Sequence, residues 1–280
     1  MQNSFIKSPW AGTVKAAARH PVLATLAYIA LVSAFFLLFP GVDRWASGLF
    51  YSGDEGFRAK DTAFLVELRH LGPHLVKLIA VASLAVLALK LAFPDRKSVV
   101  PLRAPLFLIS TLILAPGIVV NAILKNNWGR PRPRNVDFFG GDLPYVPVWH
   151  VTDHCDTNCS FVSGEASSSI WLLSLAFLAP KTWRLPVTAA VLVLAAALSL
   201  NRVAFGGHFL SDTLLSWGIT FLILLIVHRV FYVQPPAFLS EAALECGFSR
   251  AGRALKRNLA KAANGLRSGL ARWAGMFGKE

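Results

Sequence analysis

The chain has little cysteine, little acid and few polar interruptions. Three cysteines in 280 residues are too few for a disulfide framework. Cys155 and Cys159 lie four apart in one polar stretch, and Cys246 stands alone. Charged residues make up 15% of the chain and apolar residues 55%. Soluble domains run closer to a quarter charged, so the composition points to one membrane bundle. Acidic residues number 15 against 28 basic ones, for a net charge of +13. Such a surplus fits nucleic acid, anionic lipid or a membrane-topology bias, and its location decides between them. No cleavable leader is expected, because the first apolar run is too long for a signal h-region. There is no fixed-period repeat and no low-complexity stretch.

What is abundant is apolar sequence. Six runs approach the ~20 residues that a span needs. They are Pro21 to Pro40, Leu75 to Phe93, Ala104 to Leu124, Ala166 to Ala179, Leu185 to Leu200 and Leu214 to Tyr232. The third is interrupted by Pro116 and Gly117, and the fourth is the shortest. Lys77 and Lys90 sit near the ends of the second, where they can snorkel. Val187 to Leu200 has no polar face, as expected of a helix in lipid or a core. The predicted fold class is all-α: a polytopic membrane protein with six transmembrane helices spanning 21–232.

Basic residues set the expected topology. Lys7, Lys15 and Arg19 precede the first span. Arg96, Lys97 and Arg103 separate the second and third, and Lys181 and Arg184 the fourth and fifth. Arg229 and the tail follow the sixth. Six spans put all of these on one side, and the rule makes that side cytoplasmic. Both termini, 1–20 and 233–280, are then cytoplasmic in a bacterial-type inner membrane. Loops of about 41–74, 125–165 and 201–213 face the other side. The first loop mixes Trp45, Phe50, Phe57 and Phe64 with charges, as an interfacial segment or a substrate-contacting lip would. In the tail, Leu255, Leu259, Ala262, Leu266, Leu270, Trp273 and Phe277 recur at steps of three and four. Arg253, Lys256, Arg257, Lys261, Arg267 and Arg272 fill between them. This reads as a basic amphipathic helix lying on an anionic lipid surface. No nucleic-acid motif accompanies it.

Three polar groups interrupt this apolar frame, all at the same expected membrane face. In the third, His208 and Asp212 are four apart at the opening of the sixth span. On a helix they share a face, where a carboxylate fixes the imidazole tautomer and frees the other nitrogen as nucleophile or base. Arg202 lies across a Gly206-Gly207 turn and suits phosphate. In the second group, Ser163 and Gly164 open an apolar helix whose first N–H groups attract anions. An ordinary serine cap explains that pair equally well. In the first group, Lys125 and Arg132 flank a proline-stiffened segment and, with Arg130 and Arg134, make the loop basic against the topology rule. Three cationic groups, a helix N-terminus and a His–Asp pair suit a dianionic phosphoryl group.

The spacing resembles the signature of the type 2 phosphatidic acid phosphatase (PAP2) superfamily over roughly residues 75 to 232. Lys125, Arg132 and Pro133 match its first part, Ser163 and Gly164 the middle of its second, and Arg202, His208 and Asp212 its third. The resemblance implies that Lys125, Arg132, Arg202, Ser163 and Gly164 bind phosphate. It also implies that His208 attacks phosphorus, that Asp212 orients it, and that no cofactor or metal takes part. A metal site from His150, Asp153, His154, Asp156 and the nearby cysteines is the weaker alternative. The sequence departs from the pattern at Val162, beside Arg202 and at Glu165, where a histidine normally protonates the leaving group. Glu165 then becomes the candidate general acid. His150 or His154, a substrate with a good leaving group, or reduced activity are the alternatives. Cys155 and Cys159 are candidates for a local disulfide in an oxidising compartment. The expected substrate is a phospholipid or lipid-linked phosphate: lipid A, phosphatidylglycerol phosphate, phosphatidic acid or undecaprenyl diphosphate. A lipid phosphotransferase of the same fold and a non-enzymatic lipid-binding or transport protein are the rival functions.

Overall fold

A computed structural model describes residues 19–277, with side chains through residue 270. The expected N-terminal segment before residue 19 and the side chains of Arg272, Trp273 and Phe277 lie outside the described residues. The described chain is helical, and its extended pairing amounts to isolated bridges such as Tyr51 with Phe57. Among the described residues, five helices are long and apolar enough to cross a membrane. They are α1 (Pro21–Leu38), α3 (Ala63–Ala92), α4 (Arg103–Asn127), α7 (Lys181–Ala204) and α8 (Leu210–Val233). Between them lie the short α2 (Gly41–Gly48), α5 (Gly164–Trp171) and α6 (Ser174–Leu178). A long α9 (Glu241–Phe277) closes the chain.

Two spans differ from the expectation. The fourth is not one long helix but α5 and α6, broken at Leu172 and Leu173. It packs against α4, α7 and α8. Its serines point inward: Ser167 Oγ lies 2.6 Å from Thr220 Oγ1, and Ser169 Oγ donates to Ala166 O. An element buried in protein need not match the bilayer thickness, which is why its apolar run is short. The second span starts twelve residues earlier than its apolar run, at Ala63 rather than Leu75. At ~1.5 Å per residue its 30 residues reach about 45 Å, more than the hydrocarbon core. Its polar first turns are held by protein contacts. Asn201 Nδ2 donates to Leu65 O at 2.8 Å, and Leu198 packs on Gly72.

The chain forms two compact units, one within residues 1–78 and 110–229, the other within 79–109 and 230–280. In the first, α1 crosses α8 closely because Gly218 has no side chain. A Cβ there would sit 2.6 Å from Ile29 and 2.9 Å from Tyr28. In α4, Pro116 cannot donate to the ladder, and the helix widens to a π form over Ile113–Leu124. Asn121 Nδ2 donates to the Pro116 carbonyl at 2.6 Å. The aromatic loop after α1 divides: Phe57 is buried with Phe139 and Phe209, while Trp45 and Phe64 are exposed.

In the second unit, Lys90 does not snorkel. It is buried and pairs with Glu245 of α9 at 2.6 Å, with further bonds to Pro94 O and Arg96 O. Lys90 and Ser98 hold the Glu245 carboxyl down to about 2. The charge therefore fastens α9, and its environment is protein rather than the water interface.

Candidate active site

All expected site residues lie in the first unit. His208 sits in the turn between α7 and α8 and is 1% exposed. Its Nδ1 lies 2.7 Å from the Ser160 carbonyl oxygen. A carbonyl only accepts, so Nδ1 carries the proton and Nε2 keeps the lone pair. Burial, then the charges of Arg202, Lys125 and Arg132, push the imidazole well below its ordinary range. The ring is thus neutral at physiological pH, as a nucleophile must be.

Asp212 does not bond His208 directly, contrary to the expectation from their spacing. Helix α8 begins at Leu210, after the histidine, so the two are not a turn apart on one helix. Asp212 caps that helix instead, accepting from Phe209 N at 2.9 Å. The same oxygen accepts from Ser160 Oγ at 2.5 Å, and the other pairs with Arg130 at 2.6 Å. The carboxylate therefore reaches the imidazole through one residue, Ser160, whose hydroxyl it holds and whose carbonyl holds His208.

Arg130 is the centre of this buried layer. The sequence reading counted it only as loop charge. In the structure it is fully buried and donates to Val146 O, Ser211 Oγ, Asp212 Oδ1 and Asp43 Oδ2. Burial alone pulls its pKa down, but Asp212 and Asp43 outweigh that and raise it. Asp43, in α2, was not singled out from sequence. It is buried and also accepts from Ser211 N and Ser211 Oγ.

Above this layer lies a cationic one. Lys125 opens the last turn of α4, where the π segment returns to α-helix. Its Nζ donates to Asn158 Oδ1 at 3.1 Å, and a Cβ on Gly164 would stand 3.3 Å from it. Arg132 Nη2 donates to the same Asn158 Oδ1 at 2.7 Å and to the Asn158 carbonyl. Burial and Arg134 lower the Arg132 pKa. Arg202, at the end of α7, lies across the turn as expected: a Cβ on Gly207 would be 2.4 Å from its Nη2. Ser163 caps α5, its Oγ accepting from Ala166 N at 3.3 Å, while its own N–H donates to Asp212 O. Gly164 is the first helical residue behind that cap. Lys125, Arg132, Arg202, the α5 N-terminus and His208 are therefore gathered in one unit. Asn158, unnoticed in the sequence, bridges two of the cations.

Glu165 is an ion-pair partner of two arginines, 2.9 Å from Arg202 Nε and 3.5 Å from Arg69 Nε. His150 is exposed, and His154 lies 3.9 Å from Asp153. Cys155 and Cys159 form a disulfide, their Cα atoms 5.8 Å apart. Two potential metal donors are thereby used, and among the described residues no group of three or more His, Cys, Asp or Glu gathers to hold a metal. The bridged loop is tied back to the first motif: Cys159 N donates to Lys125 O and Ser160 N to Arg130 O.

A neutral imidazole beside three cations, carried on a bundle of membrane-length helices, is the equipment of a membrane phosphatase. The PAP2 superfamily sequence model matches residues 104–235. A lipid A 4'-phosphatase of Rhizobium etli is 35% identical over 247 residues, covering 76% of this chain and 90% of that protein. A lipid A 4'-phosphatase of Francisella tularensis subsp. novicida is 32% identical over 224 residues, covering 77% of this chain and 97% of that protein. A third, from Rhizobium leguminosarum, is 34% identical over 200 residues, covering 66% of this chain and 84% of that protein. No solved structure matches. The chain belongs to the PAP2 superfamily, and it is a membrane lipid phosphatase, a phosphoric ester hydrolase.

Proposed function

We propose that the protein removes a phosphate from a lipid A-type head group at the extracytoplasmic face of an inner membrane. The carrying observation is His208: its Nδ1 is committed to the Ser160 carbonyl, and its neutral Nε2 is left to attack phosphorus. In this reading Lys125, Arg132 and Arg202 neutralise the phosphoryl oxygens as charge spreads over them. The first N–H groups of α5, behind Ser163 and Gly164, add donors of fixed direction. Nε2 forms a bond to phosphorus, the bond to the leaving oxygen breaks with its electron pair going to that oxygen, which takes a proton from water, and a second water later cleaves the phosphohistidine to free phosphate. Asp212 acts as a positioning residue through Ser160. Glu165 holds Arg202 and Arg69 in place. The names of the three relatives support the lipid A assignment. The basic segments flanking the spans support the sidedness. The exposed stripe of Leu255, Leu259, Leu266 and Leu270 supports a membrane-surface role for α9.

The test is phosphate release from a panel of purified lipid phosphates, with His208→Ala as the control. Wild type is expected to act on lipid A phosphate and to trap label from a phosphorylated substrate. His208→Ala is expected to do neither, a loss of at least ~10³-fold. Residual covalent labelling of that variant removes His208 as the nucleophile. Labelled wild type that loses its label only when a second lipid is added, with the label recovered on that lipid and not as free phosphate, is a phosphotransferase instead.

A further inference from the structure

A polar pocket of about 460 Å³ opens in the same unit as the reaction site. Its lining includes Lys60, Arg69 and Arg134 over an aromatic floor of Phe57, Phe139 and Phe205. Among the described residues no carboxylate lines it. Two features join it to the phosphate cradle. Arg69 is 3.5 Å from Glu165, whose other oxygen is 2.9 Å from Arg202. Arg134 N donates to the carbonyl of Gly206, in the turn that carries Arg202 and His208. The Arg69 guanidinium also sits 5.8 Å over the Phe205 ring, which sets its direction. Glu165 is thus the shared partner of one arginine in the cradle and one in the pocket. None of Lys60, Arg69 or Arg134 belongs to the three motifs.

We propose that this pocket is a second anion subsite, which takes a phosphoryl group of the same head group that is not cleaved. Three cations against one carboxylate, Glu165, which Arg202 shares, leave a positive surplus that favours a phosphoryl anion, and a guanidinium forms paired hydrogen bonds to it. The volume exceeds that of a phosphate alone and falls in the usual range for a ligand site, so sugar atoms enter with it. A head group with a phosphate at each end then spans the cradle and the pocket, and the second phosphate improves binding at the first. Lipids with one phosphate engage the cradle only. The inference rests on the lipid A reading above and sharpens it into a preference for a doubly phosphorylated substrate.

The experiment compares two lipid A preparations in neutral detergent micelles, one with both phosphates and one with only the scissile phosphate. The variant is Lys60→Gln with Arg134→Gln, both exposed in the fold and outside the phosphate cradle. Wild type is expected to prefer the doubly phosphorylated lipid. The variant is expected to lose roughly 10- to 100-fold in kcat/KM on that lipid and less than about threefold on the other. Lys60→Arg is expected to keep the preference. An unchanged ratio between the two lipids in the variant removes the subsite and leaves the lipid A reading intact. Absence of release from both lipids by wild type, with release from another lipid phosphate, removes the lipid A reading and the subsite with it. Added phosphatidylglycerol tests the remaining source of anion. If it raises the rate on the singly phosphorylated lipid in wild type and not in the variant, the pocket takes a neighbouring lipid and the proposal is overturned.

Discussion

The two layers of the site have opposite charge logic. The buried layer sets one guanidinium, Arg130, against two carboxylates, Asp43 and Asp212. The layer above it sets Lys125, Arg132, Arg202 and Arg69 against Glu165 alone. In the first, donors and acceptors satisfy one another inside the protein. In the second, four cations face one carboxylate and the oxygens of Asn158, and the proposed function sets an anion against the remaining charge. Under the proposed function, positioning and binding are carried by different groups of residues, with Ser160 and His208 at the boundary.

Breaking the buried layer has the largest expected effect. Arg130→Met leaves Asp43 and Asp212 without their shared cation. Breaking a buried pair costs about 3–5 kcal/mol, and the Ser160 backing of His208 is loosened with it. Thermal unfolding in detergent is expected to drop by several degrees, and kcat by at least ~100-fold with a smaller change in KM. Wild-type kcat in a folded Arg130→Met protein would separate the two layers. A middle effect is expected at Glu165→Gln: a loss of roughly tenfold, equal for an alkyl phosphate and a diphosphate. A loss confined to the alkyl phosphate, the poorer leaving group, makes Glu165 the proton donor and not a positioning residue.

The smallest effect concerns pH. His208 is held below the ordinary 6.5, so the folded site favours the neutral ring. Protonation begins to cost folding stability as pH falls below about 6.5, and the cost grows until the folded pKa is passed. The acidic limb of kcat/KM is therefore expected below pH 6.5. Arg132→Gln removes one of the cations that depress the ring and is expected to move the limb upward by less than a unit. Burial, the larger cause, is untouched by that change. A limb at or above 6.5 in wild type contradicts a neutral buried nucleophile.

The cationic layer was legible in the sequence because motif spacing carries it. Lys125, Arg132, Arg202 and His208 stand where helices end, and the apolar runs locate those ends. The buried layer was not legible, since its contacts join distant parts of the chain. Asp43 lies 87 positions from Arg130 and 168 from Ser211. No periodicity relates them. One signal was present: Asp43 is an acid three residues after Pro40, in a chain with few acids. Position four apart misled for Asp212, because the helix starts between it and His208. Apolar length likewise placed the start of α3 too late, since its first turns are held by α7 and not by lipid.

Arg130 also constrains how this protein changes under mutation. Its guanidinium fork meets α2, the loop at Val146 and α8 at once. Replacing Arg130 alone strands two carboxylates, and replacing Asp43 or Asp212 alone keeps a one-to-one ion pair but unmakes the bonds that carboxylate accepts from Ser211 or from Phe209 and Ser160, so a library that varies one position at a time meets a loss at each. Replacing all three with apolar residues removes every charge of the cluster and is expected to preserve the bundle, but it removes the support behind Ser160. Stability and activity thus part company at these three positions. A lineage that drifts there is expected to keep a folded membrane protein after the phosphatase is gone.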